Sequence, residues 1–157
     1  MKRVLSLTFA VMILAPTLPV SASENVTVFG PNPELAAGAF ALQVGDYETG
    51  VERTRLGLKS EKSRKDRATG FNNLCAGLVG LRQYAEALEA CNASAEINGA
   101  NWRVYNNRSL AYLGLGRIER ARVDLNRGLE LNPGARKLRE VADMINERAA
   151  PLLADTN

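Results

Sequence analysis

Few side chains in this sequence can do chemistry, and the missing types narrow the field. There is no histidine, which removes the usual general base near neutral pH and the commonest zinc ligand. Serine–histidine and cysteine–histidine catalysis go with it. The acidic residues are spread without a paired motif for acid–base work. GLVGL and GLGR are followed by no GK[ST], so no phosphate-cradling loop is recognised. No enzyme, metal or cofactor is expected. What remains is bridging and hydrogen bonding. Two cysteines, Cys75 and Cys91, can form one disulfide. Two asparagine pairs, Asn72-Asn73 in FNNLCAG and Asn106-Asn107 in YNNRSLA, carry donors and acceptors together. A row of such amides can hydrogen-bond an extended peptide backbone without demanding a particular side chain. Arg103, one turn before Asn106, adds a charge for a carboxylate. This is the chemistry of recognition.

The chain has 157 residues and is 46% apolar, which suits one domain with a core. It holds 20 Lys+Arg against 17 Asp+Glu, but Lys2 and Arg3 open a stretch that reads as a secretory signal. An apolar run from Val4 to Ala15 follows them, and Val20-Ser21-Ala22 offers small residues for cleavage after Ala22. A membrane span takes ~20 apolar residues, more than this run provides. Without Lys2 and Arg3 the 20 basic residues become 18 against 17 acidic, a near-neutral balance that gives no reason to seek nucleic acid. The expectation is an exported chain, periplasmic or secreted, with no integral membrane segment after cleavage.

The elements that must position these residues emerge from a repeat. Residues 68–101 laid over 102–135 without a gap match at Asn72/Asn106, Asn73/Asn107, Gly80/Gly114, Leu81/Leu115, Ala87/Ala121, Asn92/Asn126, Glu96/Glu130 and Asn98/Asn132. Each unit holds two apolar-periodic segments around a short glycine-containing turn. In the last unit Ile118, Ala121, Leu125 and Leu129 have the three-and-four spacing of a helix face, and Pro133 follows as a stop. Helix–turn–helix units at such a period stack into an α-solenoid. Within the unit 68–101 the turn centres near residues 82–83, so Cys75 and Cys91 stand almost equidistant from it on antiparallel helices. They are expected to face each other, and in an oxidising compartment to join. The alternative is two buried thiols packing as apolar groups.

The pattern resembles the tetratricopeptide repeat family. Small residues occupy the eighth, twentieth and twenty-seventh positions of a unit: Cys75, Ala87 and Ser94, then Ser109, Ala121 and Gly128. Large ones occupy the fourth, eleventh and seventeenth: Phe71, Leu78 and Tyr84, then Tyr105, Tyr112 and Ile118. Small residues let the paired helices approach while large ones fill the groove between units. A degenerate earlier unit covers 31–64, with Gly38, Gly45 and Tyr47 in place, Gly50 and Gly57 for the usual alanines, and Lys65 to Arg67 as an insertion. The resemblance implies an all-α solenoid of three units (31–64, 68–101 and 102–135), and with the signal-like start the expectation is an exported member of bacterial type.

Residues 136–150 are predicted to form a capping helix with an apolar stripe of Leu138, Val141, Ala142 and Ile145, stopped by Pro151, with 151–157 as a tail. Met144 reads as core filler. An extended arm is expected over 23–30, and the charged stretch 59–67 reads as a solvated loop. The resemblance further implies a non-enzymatic protein-interaction module that takes a peptide or protein on the concave side, which the first helix of each unit lines. Asn72 and Asn106 are there the better ligand candidates. Asn73 and Asn107 serve either as ligands or as bonds between neighbouring helices. The alternative function is a self-associating structural subunit of a cell-envelope assembly.

Overall fold

The computed structural model describes residues 32–154. The signal segment 1–22, the arm 23–30 and the end of the tail lie outside the described residues. Among the described residues seven helices follow one another: α1 (Pro33–Gln43), α2 (Tyr47–Ser60), α3 (Arg64–Gly80), α4 (Tyr84–Ile97), α5 (Trp102–Gly114), α6 (Ile118–Leu131) and α7 (Arg136–Ala154). The starts of α1 and α3 have local causes. Asn32 caps α1 by accepting from the backbone N–H groups of Glu34 and Leu35, with Pro33 at the first helical position. Ser63 caps α3 by accepting from the Asp66 N–H at 3.3 Å. This cap corrects the loop expected at 59–67. The stretch is the end of α2, a short link, and an added first turn that makes α3 17 residues long against 13 for α5.

The helices pair as α1·α2, α3·α4 and α5·α6. Small residues set the spacing. The Ser94 hydroxyl donates to the Ala68 carbonyl at 2.8 Å, and the Ser109 hydroxyl to the Ala121 carbonyl at 2.9 Å. Between units, the Tyr47 ring lies on Gly80 and the Tyr84 ring on Gly114, where an added Cβ would come within 2.4 Å of the ring. The first helices also stack on one another, α1 on α3, α3 on α5 and α5 on α7, whereas the backbones of the second helices stay apart, α2 and α4 meeting through the Arg55–Glu86 ion pair. The array therefore curves with α1, α3, α5 and α7 on the inner side, as a helical solenoid does.

Counted in the same register, α7 stands where the first helix of a fourth unit would. Leu138, Val141 and Ile145 are buried against α5 and α6, as the expected stripe requires. Asp143 stands at the eighth position, where the other units carry a small buried residue, and is exposed. A further helix packed on that position would have to bury a carboxylate. The helix runs past the expected stop, through Pro151 to Ala154. A proline so near the end removes one backbone donor, a small loss in a final turn.

Candidate functional site

The asparagines sit where α3 meets α5. Asn72, Asn73, Asn106 and Asn107 are 0, 0, 2 and 0% exposed. The Asn106 amide Nδ2 donates to Asn107 Oδ1 at 3.2 Å, and Asn107 Nδ2 donates to Asn72 Oδ1 at 3.1 Å across the two helices. An outward row of amides is therefore not what recurs. The fifth and sixth positions face the seam because first helix stacks on first helix, and the pairs are buried within it. Asn107 is a strut between units, and Asn72 is its acceptor, so a change at Asn72 affects folding as well as any ligand. Replacing Asn107 with alanine is expected to cost about 2 kcal/mol, since it removes the acceptor of the buried Asn106 amide and the donor to Asn72 across the seam. Urea unfolding of the variant measures this.

One end of the network is open. Asn106 Oδ1 and the Arg103 Nε are both buried without a hydrogen-bond partner among the described residues. The Arg103 guanidinium lies 4.8 Å from the centroid of the Trp102 ring. Buried polar atoms are nearly always paired. A free acceptor and a free donor one turn apart on α5 match the N–H and C=O that a peptide unit supplies.

Cys75 and Cys91 are joined in a disulfide with Cα atoms 5.2 Å apart. The equivalent positions of the first unit show the same facing geometry: a Cβ on Gly38 would lie 2.4 Å from the Thr54 hydroxyl. A further cluster escaped the sequence reading. The Arg108 guanidinium donates through Nε and Nη2 to both Asp124 oxygens at 2.7 Å, and through Nη1 to Asn92 Oδ1 at 2.9 Å, tying α5 to α6 and α4. The hydrogen bond to Asp124 raises the Arg108 pKa above its ordinary value, against the opposing effect of burial. The available signal was a charge at each of two inward positions, Arg108 where the previous unit has Leu74, and Asp124 beside the Ala121–Leu125 stripe. Met144, expected in the core, is 40% exposed and lines a groove instead. Among the described residues no His, Cys, Asp or Glu group is arranged to hold a metal, and no helix is long and apolar enough to cross a membrane.

Paired helices on small-residue contacts, a curved inner face and a capping helix define a helical-repeat scaffold. Residues 102–135 match the tetratricopeptide repeat family, so the chain carries a tetratricopeptide repeat there. The fold agrees with the first TPR domain of the human RPAP3 protein (TM-score 0.63, 22% identity, 77% of this chain and 98% of that one). It agrees equally with the second TPR domain of human RPAP3, solved in complex with HSP70 peptide SGPTIEEVD (TM-score 0.64, 22% identity, 72% and 92%). In sequence, the chain is 26% identical to Heat shock protein STI1 of Saccharomyces cerevisiae over 69% of its length, and 27% identical to Sperm-associated antigen 1 of Mus musculus over 71%. It spans only 18% and 12% of those two proteins.

Proposed function

We propose that the chain is a non-enzymatic interaction adaptor that takes a peptide segment of a partner on its inner face, beside Arg103 and Asn106. The observation that carries this reading is the open pair on α5, an unpaired buried donor and acceptor at the spacing of one helical turn. Support comes from structural neighbours solved with peptides, among them the first TPR of Spaghetti bound to HSP90 peptide SRMEEVD (22% identity, 72% of this chain and 87% of that one, TM-score 0.63). The chain works in an oxidising space, periplasmic or secreted. The signal-like pattern of residues 1–22 and the Cys75–Cys91 disulfide support that reading.

Peptides selected from a random array by the wild-type protein are expected to bind the Arg103→Ala/Asn106→Ala double variant about tenfold more weakly, from ~1 kcal/mol or more lost with the two bonds. Equal affinity for both proteins overturns the placement on α5. A second reading, self-association, draws on Phe40 and Val44. They are 60% and 63% exposed at the end of α1 and its C-cap, and Phe40 holds the position at which Gly77 of α3 meets Val51 and Leu42 of the preceding unit. Sedimentation over a range of concentrations separates the two, the adaptor staying monomeric.

A further inference from the structure

A groove of about 630 Å³ opens at the C-terminal ends of α3 and α5, within the size range of ligand sites. Its apolar surface comes from Val79, Leu110 and Leu113, with Met144 of α7 across from them. Over it stand two guanidiniums, Arg82 and Arg148, against a single carboxylate, Glu147. Arg148 is steadied by donating through Nη1 to the Leu113 carbonyl at 2.7 Å. Arg82 makes no ion pair or side-chain hydrogen bond among the described residues.

The backbone of Arg82 adds a second observation. It holds φ at 60°, and the same turn position in the other units is Gly45 (φ 84°) and Gly116 (φ 70°). Glycine adopts this left-handed conformation without a Cβ penalty, whereas arginine is strained there. The turn itself gains nothing from arginine. What the residue gains is a place on the rim of the groove, where its unpaired cation faces outward from an apolar floor.

We propose that this groove seats an aliphatic side chain of an acidic peptide segment, with Arg82 and Arg148 pairing the flanking carboxylates. The inference rests on the adaptor reading above and adds to it the chemical class of the ligand. Charge complementarity selects an acidic segment, since the rim carries two cations to one anion. The apolar floor selects an aliphatic residue within that segment.

The test uses the nonamer Ser-Gly-Glu-Glu-Leu-Glu-Glu-Gly-Ser, its counterpart with glutamine for every glutamate, and its counterpart with alanine for leucine, each followed by fluorescence anisotropy. The wild-type protein is expected to bind the first at least about fivefold tighter than either counterpart, as two partly exposed ion pairs and one seated side chain allow. The Arg82→Gly variant is expected to melt ~3 °C higher, because the strain is relieved, yet to lose the preference for glutamate. Met144→Ala is expected to lose the preference for leucine over alanine while keeping that for glutamate. A wild-type protein that binds none of the nonamers, or binds all three alike, overturns the proposal. So does an Arg82→Gly variant that retains full affinity. If the first nonamer is lost on Arg103→Ala/Asn106→Ala but indifferent to Arg82→Gly and Met144→Ala, the groove assignment fails while the adaptor reading stands.

Discussion

Replacing Arg108 with methionine is expected to cost about 3 kcal/mol of folding stability and to lower the melting temperature by roughly 10 °C. The reason lies with the residue left behind. Asp124 is 4% exposed, and both of its oxygens accept from Arg108. Without the guanidinium an ionised carboxylate stays in the interior with its main partner gone, and the loss of half of such a pair is far more damaging than the pair's own net worth suggests. Asn92 loses its Arg108 donor at the same time, so the seam between α4 and α5 loosens along with the α5–α6 hairpin. The double variant Arg108→Met/Asp124→Leu is expected to recover most of the loss, because two apolar groups replace two charges. Urea unfolding of the wild type, both single variants and the double variant measures the coupling. A loss below about 1 kcal/mol in Arg108→Met is the value of an exposed pair and means that water reaches Asp124.

The hairpins were legible in the sequence for a steric reason. Helices that pack closely need small residues at fixed places, and Cys75, Ala87, Ser94 and their counterparts one unit later mark those places without any knowledge of the fold. The pairing of Cys75 with Cys91 follows from the same geometry, since two positions equidistant from a tight turn must face each other. The cap was visible in Leu138, Val141 and Ile145, but its end was not, because a proline stops a helix only where the lost hydrogen bond matters. The asparagines show what recurrence leaves open. Repetition of Asn72-Asn73 as Asn106-Asn107 marks equivalent positions, and equivalence holds equally for a binding row and for a seam. Only the packing of α3 on α5 decides that they are buried. Arg108 and Asp124 were illegible for a related reason. They lie on different helices, and no spacing rule says which charged residues two packed helices will bring together. Arg82 was readable as a departure, GLRQ against GLGR, but its meaning needed the backbone angle and the groove.

The other large expected effect is the loss of the Cys75–Cys91 bridge. The Cys75→Ala/Cys91→Ala variant is expected to be less stable by ~3 kcal/mol, the value for closing a loop of this length in the unfolded chain. The neighbouring units set a limit on that figure. At the same two positions they carry Gly38 with Thr54 and Ser109 with Leu125, and both hairpins close without a covalent link. The bridge is thus an addition to a packing that already works, and its removal is expected to weaken α3 and α4 without unfolding the array. Both sulfurs are fully buried, so a thiol reductant must wait for the hairpin to open. At a temperature well below melting, reduction is expected to be slow and to track the opening of α3–α4. Hydrogen exchange in the variant is expected to rise most in those two helices, and next in α5, because Asn72 lies one turn before Cys75 and holds the strut from Asn107. Alkylation in denaturant, without reductant, of protein recovered from an oxidising compartment provides the direct check, with no free thiol as the expected result. Two free thiols per chain remove the bridge, and with it the structural support for an exported protein, leaving that reading to residues 1–22 alone.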